Sequence, residues 1–155
     1  RDVFYEADKV LNIKIVLITN FDYSLEGLDC EIIRWRESSE ISDLHKIDIG
    51  LYPLIKADWD LGKGGLKALQ YMATGIPAIA TNFGTVKDFI VHEKNGFLVD
   101  STEQWLDAIK RVAEDTKLRN NIIINARNTV ETNYSVSTNK KKYLTVFEEL
   151  TKGLN

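Results

Sequence analysis

Residues 62–77 read Gly-Lys-Gly-Gly-Leu-Lys-Ala-Leu-Gln-Tyr-Met-Ala-Thr-Gly-Ile-Pro, and the run Ala78–Thr81 follows directly. Three glycines open the stretch, a helix-spaced segment fills it, and Gly75-Ile76-Pro77 closes it before a short strand. A helix that starts at such a loop leaves its first amides without intrahelical acceptors, at the positive end of its dipole. That end suits an anion. Lys63, Lys67 and Gln70 stand at i, i+4 and i+7, which predicts one helix face carrying two cations and an amide. Leu66, Leu69 and Ala73 define the apolar arc expected to pack on a sheet. Gly62, Gly64 and Gly65 let a ligand approach the backbone. A bound diphosphate is one reading of this pattern. A tight turn with no ligand is the other.

Strand and helix signals alternate outward from this stretch. Arg1–Leu11 has helical spacing, Lys14–Ile18 reads as a buried strand, and Glu31–Trp35 as a weaker one. A brief helix is expected over Ser39–Lys46, then a strand over Asp48–Leu54 that Pro53 ends. Beyond Ala78–Thr81 come a short helix over Thr85–Val91 and a last strand over Gly96–Val99. Ser101 and Gln104 form a capping box that starts a helix through Trp105, Ala108, Ile109 and Val112. A second helix runs through Leu118, Ile122, Ala126 and Val130, and a tail helix through Tyr143, Phe147, Leu150 and Leu154.

This order predicts an α/β fold: a doubly wound, Rossmann-like parallel sheet with helices on both faces and a helical C-terminal tail. Ligands of such sheets bind at the carboxyl ends of the strands, where the glycine-rich loop follows Asp48–Leu54. Residues 1–134 are expected to form this domain and residues 135–155 its C-terminal helix. Parallel α/β domains usually begin with a strand, so the opening helix predicts a first, central strand upstream of Arg1.

Bulk properties exclude several classes. The 155 residues are enough for one domain with a real core, and 44% hydrophobic with 28% charged content is ordinary for a globular chain. A net charge of −3 gives no basic field for nucleic acid. No run nears the roughly 18 apolar residues of a membrane span, and no signal peptide opens the chain. Cys30 has no second cysteine to pair with, which fits a reducing, cytoplasmic compartment. His45 and His92 lack a second ligand at metal spacing, so no metal is expected. A Walker A loop would need Ser or Thr after Gly-Lys, where Gly64 stands, and GxGxxG fails at Lys67. Three lysines at 140–142 are fewer than a membrane-binding basic patch needs. The pairs Asp58/Asp60 and Glu148/Glu149 read as solvated carboxylates.

The linked motifs resemble one family. Asp48-Ile49-Gly50-Leu51-Tyr52-Pro53-Leu54, Trp59, the 62–81 stretch, Asn82-Phe83-Gly84, Asn95-Gly96-Phe97-Leu98-Val99, Trp105, Ala126-Arg127 and Tyr134-Ser135 occur in the order of the group-1, family-4-type retaining glycosyltransferases of the GT-B fold. The resemblance covers most of the chain from about Ile32 onward. It implies the C-terminal, nucleotide-sugar-binding half of a two-domain enzyme whose N-terminal domain, absent here, holds the acceptor. It also implies transfer of a sugar from a UDP- or GDP-sugar in cell-surface polysaccharide biosynthesis. No further cofactor is implied. The full-length enzyme would be cytoplasmic, with peripheral contact at the inner face of the membrane as an option.

By the same resemblance Gly62, Lys63, Gly64, Gly65, Leu66 and Lys67 lie at the donor phosphates and sugar, and Gln70 at the nucleotide ribose. Trp35 and Arg36 resemble the base-pocket segment; a core-edge tryptophan beside a solvated arginine is the other reading. The family's E-x7-E motif would put acids at positions 62 and 70, where this chain has Gly62 and Gln70. No catalytic residue is thereby identified, with Lys63 and Asp60 as the nearest substitutes for the missing sugar contact. A second expectation follows: a non-catalytic α/β binding or scaffold domain that kept the fold and lost the acid at 62.

Overall fold

The computed structural model describes residues 2–152. Arg1, at the head of the expected first helix, and Leu154, the last member of the tail stripe, lie outside them. The elements run α1 (Asp2–Leu11), β1 (Ile15–Ile18), β2 (Cys30–Ile33), α2 (Glu40–Leu44), β3 (Gly50–Tyr52), α3 (Asp58–Leu61), α4 (Leu66–Thr74), β4 (Ala78–Thr81), β5 (Phe97–Val99), α5 (Thr102–Glu114), α6 (Thr116–Asn133) and α7 (Val136–Lys152). Short 3-10 turns span Glu37–Ser39 and Gly84–Asp88.

All strand pairs are parallel, as expected. They fall into two groups, β1–β2 and β3–β4–β5, with Ile15 opposite Cys30, Gly50 opposite Ala78 and Ile79 opposite Phe97. β4 is buried along its whole length and sends alternate side chains to opposite faces. Ile79 joins Ala7, Phe97, Val99, Ala108, Ile109, Val112 and Ile122, so α1 and α5 cover one face. Ala78 and Ala80 join Ala68, Met72, Val86, Phe89, Ile90 and Ala126, so α4 covers the other. α6 reaches both clusters through Ile122 and Ala126. α1 packs over the three-stranded group and then leads straight into β1, which ties the two groups together.

Local signals explain the helix limits. Ser101 Oγ accepts from Gln104 N at 3.3 Å, and Gln104 Oε1 accepts from Ser101 N at 3.2 Å, which is the expected capping box. Asp115 Oδ1 caps α6 by accepting from Leu118 N at 2.9 Å. Gly75, at φ +79°, ends α4 in the left-handed conformation. Gly50 lets α4 lie close to β3, since a Cβ there would strike the Tyr71 ring.

Four expectations need correction. The strand at Asp48–Leu54 narrows to three residues, and in place of an α-helix over Thr85–Val91 there is only the 3-10 turn Gly84–Asp88. The single turn α3, just before the glycine loop, has too few residues to show a period in sequence. α4 begins at Leu66, so Lys63 lies in the loop and shares no helix face with Lys67 and Gln70. Its buried arc is Ala68 and Met72, while Leu66 is exposed. Two helical positions differ by about 200°, so a helix that buries Ala68 must turn Leu66 outward.

α7 buries no residue. Its start is pinned to the end of α6, where Ser135 Oγ donates to Glu131 O at 2.8 Å and Asn139 Nδ2 donates to Asn133 O at 2.9 Å. Beyond that, Tyr143, Leu144, Phe147 and Leu150 are exposed. No helix among the described residues is long and apolar enough to cross a membrane.

Candidate functional site

The glycine loop is organised by one buried carboxylate. Asp60 is 2% exposed, which corrects the sequence reading of a solvated carboxylate or a sugar contact: the turn α3 folds it under the loop. Its Oδ1 lies 2.7 Å from Lys63 Nζ, and its Oδ2 accepts from Ile55 N at 3.0 Å and Ala57 N at 3.4 Å. The Lys63 ammonium holds the Asp60 carboxyl below its ordinary value, and Asp60 in turn raises Lys63. Both are therefore charged near neutral pH. With both oxygens committed to the protein, Asp60 shapes the loop from within. The half-exposed Lys63 ammonium has three donors, one of them spent on Asp60.

The loop is also tied to the far end of β4. Thr85 Oγ1 donates to Lys63 O at 2.7 Å, and Leu54 N donates to Thr81 Oγ1 at 2.8 Å. The segments leaving β3 and β4 thus converge at the carboxyl ends of their strands. Gly65 sits at φ +68°, where a Cβ would come within 2.8 Å of Phe89 Cζ. Only glycine fits that pivot. A Cβ at Gly64 would meet nothing within 4 Å, so that backbone is open to approach. No side chain among the described residues caps α4, and its ladder begins with Leu69 N donating to Gly65 O at 3.1 Å. The amides of Leu66, Lys67 and Ala68 lie ahead of that first bond.

A second cluster flanks the same helix. Glu40, on α2, accepts on Oε1 from Trp35 Nε1 at 2.9 Å and from Lys67 Nζ at 3.1 Å. The Trp35 hydrogen bond, followed by that of Lys67, holds the Glu40 carboxyl below its ordinary value, with the Gln70 side chain adding to the effect. Trp35, Lys67 and Gln70 are thereby brought together, and the residue that joins them was not singled out from the sequence. Its only local signal was a carboxylate five positions after Trp35; nothing there points to Lys67. Gln70 Oε1 is buried and has no hydrogen-bond partner among the described residues. Arg36 is exposed and does not bond to this cluster; Gly62, also exposed, ends α3.

A separate hollow of about 590 Å³ lies between the segment after β4 and the helices α6 and α7, against Phe89, Asn95, Thr129, Tyr134 and Lys142. It includes none of the loop residues. Lys63 in the loop, Lys67 in the first turn of α4 and the amides ahead of Leu69 all lie at the entry to that helix.

Comparison with known proteins bears on the family. The sequence model described as "Glycosyl transferases group 1" matches residues 27–129. The chain belongs to this family. The matched span takes in the glycine loop, α4 and the cluster around Glu40. Over 84 residues the chain is 33% identical to YtcC of Bacillus subtilis (strain 168), described only provisionally as a glycosyltransferase; the match covers 52% of this chain and 21% of YtcC. The C-terminal domain of the group 1 glycosyl transferase family protein LpcC from Francisella tularensis superposes with a TM-score of 0.58 at 30% identity, covering 71% of this chain and 56% of that one. HepE from Anabaena, solved in complex with UDP-glucose, shares the fold with a TM-score of 0.65 at 21% identity, covering 80% of this chain and 33% of HepE. This group 1 domain therefore spans about a fifth of YtcC and a third of HepE.

Proposed function

We propose that this chain is the donor-binding half of a retaining glycosyltransferase, which moves a sugar from a UDP- or GDP-sugar to an acceptor. One observation carries the reading: a helix start without a side-chain cap on an open glycine turn, with Lys63 in that turn and Lys67 in the first turn of the helix. The backbone at Gly64, Gly65 and Leu66 receives the diphosphate, and the two ammonium groups meet its charge without a metal ion. HepE, which shares the fold, was solved with a ligand of this class.

In the reaction the bond from the anomeric carbon to the diphosphate breaks and a bond to the acceptor oxygen forms on the same face. The acceptor proton passes to the leaving phosphate. The chain contributes positioning and stabilisation of the charge that grows on the diphosphate. An acceptor-binding domain completes the enzyme in this reading. Its setting is cell-surface polysaccharide synthesis on the cytoplasmic side of the membrane.

Calorimetric titration with UDP-glucose and GDP-mannose tests the proposal. Binding of either that Lys63→Ala or Lys67→Ala weakens about tenfold supports it. Failure of a folded chain to bind any nucleotide-sugar would instead leave a scaffold domain.

A further inference from the structure

We propose that Glu40, rather than Gln70, is the side chain that accepts the hydroxyls of the bound nucleoside. This rests on the donor-binding reading above and names a residue which that reading did not include. Gln70 was the acceptor expected from the sequence, yet its only acceptor atom, Oε1, is buried with less than 1 Å² accessible. A ligand hydroxyl cannot reach it.

Glu40 offers what Gln70 withholds. Its side chain keeps 21% of its surface exposed, and the hydrogen bonds it accepts from Trp35 and Lys67 both fall on Oε1. Each carboxylate oxygen accepts about two hydrogen bonds, so Oε2 has room for a ligand donor even with the Gln70 amide alongside. Hydrogen bonds to an ionised acceptor are shorter and about twice as strong as neutral ones. The flanking groups suit a nucleoside: the Trp35 ring is partly exposed, and the Lys67 ammonium stands at the first turn of α4, beside the proposed diphosphate seat. An aromatic face, a carboxylate and an ammonium would then meet base, sugar hydroxyls and phosphate in the order in which a nucleoside diphosphate presents them.

Titration of the full chain with UDP, GDP and their 2′,3′-dideoxy analogues, comparing wild type with Glu40→Gln and Gln70→Ala, tests the assignment. Wild type is expected to prefer the ribose form about tenfold. Glu40→Gln, which preserves size and an acceptor for Trp35, is expected to reduce that preference to less than about threefold. Gln70→Ala is expected to leave it intact. The preference is a ratio within each variant, so a general loss of affinity does not mimic the result. A Glu40→Gln chain that still prefers ribose tenfold, or a Gln70→Ala chain that loses the preference, overturns the assignment and leaves donor binding standing. A wild-type chain that binds no nucleotide overturns both.

Discussion

Lys63 Nζ, in the loop that leads into α4, lies 2.7 Å from the buried carboxylate of Asp60 on α3. The pair sets where the loop's cation sits, and it makes the loop sensitive to pH. The folded Asp60 titrates below its ordinary value, so its contribution is present above the unfolded carboxylate range and is lost as pH falls through the folded value. The folded Lys63 titrates above its ordinary value, so its contribution is complete below the unfolded lysine range and is lost as pH rises through the folded value. The loop is therefore expected to be firmest between about pH 4 and about pH 10. Thermal unfolding across pH 2–7 should show Asp60→Asn with a flatter acid limb than wild type. An unchanged limb would remove Asp60 from the account of the loop.

Gly64 and Gly65 are adjacent, yet their substitutions should separate folding from binding. Gly65→Ala places a side chain at φ +68° against Phe89 and should cost about 1–3 kcal/mol in urea unfolding. Gly64→Ala meets open space and should change stability by less than about 0.5 kcal/mol. Its new methyl group would nevertheless stand where the diphosphate is proposed to approach, so nucleotide affinity should drop. Equal stability losses for the two variants would contradict this geometry.

The capping box at Ser101 is a local device with a local effect. Ser101→Ala removes the acceptor for Gln104 N and should destabilise the chain by about 1 kcal/mol. Chemical denaturation with an unchanged m-value is the check.

Exposure along α7 predicts tolerance. Phe147→Ser and Leu150→Ser should each shift stability by less than about 0.5 kcal/mol, because neither side chain is covered. Ile122→Ala, by contrast, empties a site in the core shared with Ile79, Phe97 and Val112, and should cost about 2–5 kcal/mol. If Phe147→Ser proved as costly as Ile122→Ala, some surface would have to cover the tail.

Much of the fold was legible because its signals are local. The helical stripe through Leu118, Ile122 and Ala126, the Ser101–Gln104 cap and the apolar run Ala78–Thr81 each depend on residues a few positions apart. The single turn at Asp58–Leu61 was not legible, since four residues carry no period. Nor was the outward turn of Leu66, because a glycine-rich entry leaves open where the helix begins. The site divided in the same way: the loop residues stood out in sequence, and the residue joining Trp35 to Lys67 did not.

By itself the sequence determined the order of the strands and longer helices, the glycine-rich entry to α4 and the family, since backbone freedom, periodicity and motif order are all written along the chain. Only the tertiary structure decided that Glu40 meets Lys67 across 27 positions, that Asp60 is buried beneath the loop, and that Gln70 hides its carbonyl. Such contacts form when separate elements pack on a common sheet, and no local preference of either partner encodes them.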